Sequence, residues 1–386
     1  MPRRRIAIDP DRAALSDAQI VENKIRLVGE SMFRDRMVID DWDFQQAYYR
    51  GPGEYEPLGS SRKKIKIGED WGGENVTAFF RKTIQVPEIH QGRPLFLDIR
   101  VGGEALLSVN GRPLQGLDYY RSLVYLTEKA QAGTTYHCEI EAFVRSQPFE
   151  KWFKDTGNIR HFERAYLLVI DREIEDFYYD VETAFLACTS FADDLEIYDF
   201  LFEEIDHALK MIDFYEEDFE KYKSQIRQAK SYIQQKIYDS NRFKKSGQIS
   251  LIGQSHLDIV FMWPYIETIR KNIRTTASVL NLMREFPEFI FSQSQQKLYE
   301  DIEQYQPELF REVKERQKEG RWECIGGMYI EPDCNLISGE SFVRQILYGK
   351  RYFRSQFGTD AKTCWLPDVF GMSWSIPQIL LKAGMK

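Results

Sequence analysis

The spacing of apolar residues changes twice along the chain, and those two changes limit what it can fold into. Up to about residue 182 the apolar residues come in short runs: VTAFFRKTIQV, PLFLDIRV, EALLSVNG, TYHCEIEAFV and AYLLVIDREI. Pro87, Gly92, Gly102, Gly103, Gly116 and Gly133 separate them, and Asn110-Gly111 signals a hairpin because both residue types tolerate positive φ. Short strands at this spacing predict a β-sandwich, placed at 24–185 after an N-terminal extension at 1–23. Next, Leu195, Tyr198, Phe202, Ile205, Leu209 and Ile212 recur three to four residues apart, and Phe219, Tyr222, Ile226, Ile233 and Ile237 continue the pattern. That periodicity predicts a helical connector over 186–245. From 246 the two patterns alternate. ISLIG, RWECIGGMYI and KTCWLPDVFG read as strands, and helices are expected over 266–285, 295–305, 307–319, 338–356 and from Ile376. Alternation of this kind predicts a parallel α/β domain over 246–386. Three strands fall short of a usual barrel or open sheet, so the domain reads as truncated.

Charge and cysteine usage exclude several classes of partner. The net charge is −8, and the basic runs are limited to Arg3-Arg4-Arg5 and Arg62-Lys63-Lys64. Neither nucleic acid nor an anionic membrane is an expected partner. No apolar run approaches the ~18 residues that span a bilayer, and the initial arginines are not followed by the apolar core of a secretory signal. Five cysteines, an odd number without a CxxC pair, fit reduced thiols in a cytoplasmic protein. Aromatic residues make up 14% of the chain, which suits packing against sugar faces as well as a large core.

The candidate chemistry sits at strand ends. His256 and Asp258 follow the apolar run ISLIG at a spacing of two, so in extended chain both side chains point the same way and can meet one ion. The plain alternative is a His–Asp hydrogen bond. Asp368 ends a further apolar run and completes a three-ligand set, or else caps the helix that follows. Glu331 and Asp333, after RWECIGGMYI, suit a polar pocket that grips sugar hydroxyls, or a loop of turn formers.

Three segments carry a specific resemblance: GQSHLDIVFMWPYIETIRKNIRTTASVLNLMREFPEF, YIEPDCNLISGESFVRQILYGKRYFRSQFG and CWLPDVFGMSWSIPQIL. In this order and spacing they resemble the opening of the catalytic domain of glycoside hydrolase family 38, the class II α-mannosidases. EDWGGENVTAFFRKTIQVP and VGGEALLSVNGRPLQGLD resemble the N-terminal β domain of that family's cytoplasmic and bacterial branch. The resemblance implies a distorted seven-stranded α/β barrel and a retaining, metal-assisted hydrolysis of terminal α-linked mannose from mannose-containing oligosaccharides. His256, Asp258 and Asp368 match ligands of a divalent metal, with zinc expected, and Asp368 also matches the nucleophile. Phe370 matches an aromatic wall of the sugar subsite. Phe261 stands where the family usually has Trp, which leaves a smaller stacking surface, and Trp263 matches a further aromatic of the segment. A fourth ligand His and an acid/base Asp are expected after residue 386, because His90, His137, His161 and His207 all lie upstream. Little activity is therefore expected from these residues alone.

Two other readings compete. A metal-dependent polysaccharide deacetylase would add an HxxxH pair, which the sequence lacks. A non-catalytic carbohydrate-binding fragment would need only the β domain. The helical zone suits a subunit contact in a homo-oligomer or an intramolecular brace.

Overall fold

The structure is a computed structural model that describes residues 14–59, 63–144, 157–242 and 247–385. In chain order its elements are α1 (Ala14–Ser31), β1 (Phe33–Val38), β2 (Trp42–Gly51), β3 (Glu54–Pro57), β4 (Lys63–Ile65), β5 (Asp70–Gly72), β6 (Val76–Gln85), β7 (Leu95–Arg100), β8 (Glu104–Val109), β9 (Arg112–Leu117), β10 (Leu123–Thr127), β11 (Thr135–Phe143), β12 (Ile159–His161) and β13 (Arg164–Ile170). There follow α2 (Arg172–Ser190), α3 (Leu195–Lys210), α4 (Phe219–Ile233), β14 (Gly253–Gln254), α5 (Tyr265–Glu285), β15 (Phe291–Gln293), α6 (Gln296–Tyr305), α7 (Pro307–Lys318), β16 (Trp322–Cys324), α8 (Gly339–Phe357) and α9 (Ile376–Lys382). They gather into two compact units. One holds the described residues up to Met37 with 93–95 and 168–249, and the other holds 38–92, 96–167 and 250 onward.

The first unit is mainly helical. Aspartates at 171, 194 and 218 cap α2, α3 and α4, each accepting from amides of the first turn. The buried seam is formed by Ile174, Phe177 and Val181 of α2, Leu201 and Ile205 of α3, and Tyr222 and Ile226 of α4. Two boundaries expected from sequence need correction. Residue 24 lies inside α1, so the sandwich does not begin there, and the extension drawn at 1–23 falls partly outside the described residues. At the other end the apolar run AYLLVIDREI is strand only to Ile170. The Asp171 carboxylate then accepts from the amides of Glu173 and Ile174 and turns the chain into α2.

The second unit contains the β-rich part and the start of the α/β part. Seven antiparallel strands form one sheet in the order β3-β2-β6-β11-β8-β9, with β4 also on β2. The β8–β9 hairpin turns at Asn110 and Gly111, with φ of 52° and 78°. A second sheet sets β7 beside β10. Trp42, Phe80 and Phe162 pack edge to face in the core, with Trp71 against Phe80.

In the α/β part β14, β15 and β16 run parallel in that order. Helix α5 lies between two surfaces. Ile269, Ile273, Leu280 and Met283 join Phe291, Tyr299, Phe310, Trp322 and Phe353 in one core cluster. The opposite face packs on the seven-stranded sheet, where Ser278 Oγ accepts from the Gly116 amide at 2.9 Å. Ser338 caps α8 through the Ser341 amide, and Gly358 ends it with φ of 65°.

Three strand expectations fail here. ISLIG is not buried: strand is limited to residues 253–254, and Ile249 and Leu251 are 86% and 90% exposed. Its sole ladder among the described residues is to β15, so the preceding residues have no neighbour to pack on. RWECIGGMYI is strand only over 322–324, because Gly326 and Gly327 take φ of 80° and 61° and turn the chain out of the sheet. KTCWLPDVFG forms no strand; Thr363 O accepts one bond from the Gly326 amide, and Pro367 brings no donor to extend a ladder. The strand β15, between two helices, carries no alternation in sequence and goes unanticipated.

Candidate metal centre

The loop after β14 remains extended enough for His256 and Asp258 to face the same side, while Leu257 between them turns inward and is 9% exposed. The stretch before α9 brings in Asp368. One ligand atom each from His256, Asp258 and Asp368 lie within 4.8 Å of one another. His256 Nε2 is 3.4 Å from Asp258 Oδ1 and 3.6 Å from Asp368 Oδ2. Donors held tetrahedrally at ~2.1 Å from one ion stand ~3.4 Å apart. Both His256 nitrogens are buried, and neither completes a hydrogen bond. A borderline nitrogen and two carboxylate oxygens, with both separations from the orphaned buried imidazole near that value, fit a zinc-type cation.

Glu331 lies beneath this group. Its side chain is 8% exposed, against 25% for His256, 39% for Asp258 and 54% for Asp368, so the cluster opens to solvent on the aspartate side. Glu331 Oε2 faces His256 Nδ1 at 3.3 Å, and Oε1 accepts from the Asp368 amide at 3.1 Å. A carboxylate on the far nitrogen of a ligand imidazole fixes the ring and leaves Nε2 to face the ion. Burial, the largest cause, pushes the Glu331 carboxyl above its ordinary value, against the Asp368 amide and His256, which pull it down. The acid read from sequence as a grip for sugar hydroxyls thus occupies the floor of the cluster.

The other expected site residues sit further out. Asp333 Oδ1 accepts from the amides of Asn335 and Leu336, closing its own turn. Phe370 is 91% exposed and Phe261 58%, so both rings are open to solvent. Phe261 meets Trp263 edge to face, and Trp263 Nε1 donates to Thr268 Oγ1 at the start of α5. Gln295 was not visible from sequence: it stands amid polar residues between a strand and a helix, without a charge or a metal-binding group to mark it.

Residues 246–386 match the family described as "Glycosyl hydrolases family 38 N-terminal domain", and residues 49–164 match "Alpha-mannosidase, jelly roll domain". Alpha-mannosidase 2C1 of Homo sapiens is 27% identical over 344 residues, covering 84% of this chain and 31% of that protein. An alpha-mannosidase of Saccharomyces cerevisiae is 33% identical over 174 residues, 42% of this chain and 16% of its own. The crystal structure of an alpha-mannosidase from Enterococcus faecalis shares 32% identity over 35% of this chain and 15% of that one, with a TM-score of 0.33. The chain spans about a third of the length of relatives such as the human protein.

Proposed function

We propose that the chain is the N-terminal part of a retaining α-mannosidase, because residues 246–386 match the N-terminal domain of glycosyl hydrolase family 38 and residues 49–164 match an α-mannosidase jelly-roll domain. The observation that carries the reading is the convergence of His256, Asp258 and Asp368 inside the family-matched segment. The substrate is terminal α-linked mannose on glycans. Asp368 Oδ attacks the anomeric carbon, the bond to the leaving oxygen breaks, and a mannosyl ester forms on Asp368. A second carboxyl group gives the leaving oxygen its proton and later takes one from water, which releases mannose with its configuration retained. That acid/base, and a fourth ligand His, lie in sequence following residue 386, so these residues alone have little activity.

A divalent ion held by His256, Asp258 and Asp368, with zinc the best fit to the donors, would orient two mannose hydroxyls and stabilise developing charge. Glu331 faces His256, and the exposed rings of Phe370 and Phe261 offer faces to the sugar's C–H groups, with Asp333 at the polar rim. The parallel order of β14 to β16 supports reading this part as the beginning of a distorted seven-stranded barrel. The five cysteines are all free, which suits a cytoplasmic location. Mannose-bearing oligosaccharide is the partner, rather than nucleic acid or membrane, and a homo-oligomer is compatible with the helical unit.

The test is hydrolysis of 4-nitrophenyl α-mannoside by the product of the complete reading frame, before and after chelation and with zinc restored. Metal-dependent release, with α-mannose as first product by NMR, is expected. Asp368→Asn should abolish turnover while the protein still unfolds cooperatively; normal turnover by that variant would remove Asp368 from its role.

A further inference from the structure

We infer that Gln295 is the positioning residue that holds the two ligand-bearing segments, around His256–Asp258 and Asp368, in register with the Glu331 loop. The inference rests on the metal-site reading. Gln295 is 4% exposed, between β15 and α6, with φ of 65°, a value a non-glycine residue adopts only when its surroundings impose it. Its side-chain Nε2 donates to Leu257 O at 2.8 Å, the carbonyl between His256 and Asp258. Its Oε1 accepts from the Glu331 amide at 3.1 Å. Glu331 in turn accepts from the Asp368 amide and faces His256 Nδ1. One primary amide is therefore bonded directly to two loops and reaches the third through Glu331. The orientation of the amide follows from its partners, since Leu257 O can only accept and the Glu331 N–H can only donate. No carboxylate or ammonium could serve both, and the left-handed backbone aims the side chain between the loops instead of along α6.

The role is positional, since Gln295 meets the backbone at Leu257 and Glu331 rather than the ligand atoms. The test uses the full-length protein with Gln295→Gly and Gln295→Glu. Glycine adopts this φ freely but removes both bonds, whereas glutamate keeps the acceptor for Glu331 and loses the donor to Leu257. Zinc affinity, read by competition with a chromogenic chelator, is expected to fall ~10–100-fold in Gln295→Gly, the range for partners behind the ligands. In the metal-free protein the Asp368 amide, two bonds away, should exchange faster in Gln295→Gly and stay protected in Gln295→Glu. Wild-type zinc affinity together with unchanged Asp368 exchange in Gln295→Gly would overturn the inference. Should the wild type bind no zinc, the metal reading falls and the amide exchange alone decides the positioning claim. If Gln295→Gly fails to fold, Gln295→Glu is decisive: weaker zinc binding supports the role, and wild-type binding rejects it.

Discussion

Glu331 shows how burial changes the use of an acidic side chain. In the sequence it is one of two acids after an apolar run, and its neighbour Asp333 spends its carboxylate on its own turn. In the structure Glu331 is held away from water beneath His256, near Asp258 and Asp368, which both push its carboxyl upward. Glu331→Gln removes a buried charge that its acidic neighbours disfavour. The metal-free variant is therefore expected to unfold at the same or a higher temperature than wild type. It should also bind zinc about tenfold more weakly, because a neutral amide supports the imidazole less than a carboxylate does. Calorimetry and chelator competition on the same samples read the two effects. Loss of stability without loss of affinity would show that Glu331 serves packing alone. The convergence of His256, Asp258 and Asp368 was legible because the first two share a face at a spacing of two and Asp368 ends a distinctive segment. Glu331 and Gln295 were not, because their roles depend on which loops meet in space.

At the scale of elements, helices were read better than strands because their ends carry chemical marks. Ser338 and Gly358 bound α8 as expected, and Pro307 opens α7. The same logic, applied late, explains the misplaced edge of the sandwich. Asp171 follows seven strand residues without a break in apolar character, yet its carboxylate is what starts α2. Its Oδ2 also meets Lys223 Nζ of α4 at 3.0 Å. Asp171→Ala is expected to destabilise the helical unit by about 1 kcal/mol from the lost cap, toward 2 with the ion pair. Urea denaturation followed by helical circular dichroism measures this; an effect below about 0.3 kcal/mol would mean that packing alone sets the start of α2. The short parallel strands were hard to read for a physical reason. A strand of two or three residues carries too few alternations to show a period, and glycines such as Gly326 end it by backbone conformation rather than by polarity.

Across the second unit, α5 joins the seven-stranded sheet to the α/β part, and its polar face does so with buried charge. Glu267, 2% exposed, accepts from Arg270 Nη1 and Arg274 Nη2, each at 3.2 Å. Arg270 also meets Glu141 of β11 at 3.0 Å and stacks over Tyr49 and Phe143, while Arg274 pairs with Glu104 of β8. Carboxylates from the sheet and from the helix thus share two guanidinium groups. Removing one partner of such a network costs far more than an exposed pair contributes, because the remaining charges stay buried. Glu267→Gln is expected to cost about 3 kcal/mol, toward the lower end for a broken buried pair since the amide still bonds one arginine. The loss should fall on the sheet and the α/β part together, since α5 packs on both. Hydrogen exchange under mild denaturant can follow β11 amides and α6 amides in one sample. Equal loss of protection in both is the outcome of a single cooperative unit. Loss confined to α6 would show that the sheet stands without α5, and that the charged face of the helix orients the site without stabilising its support.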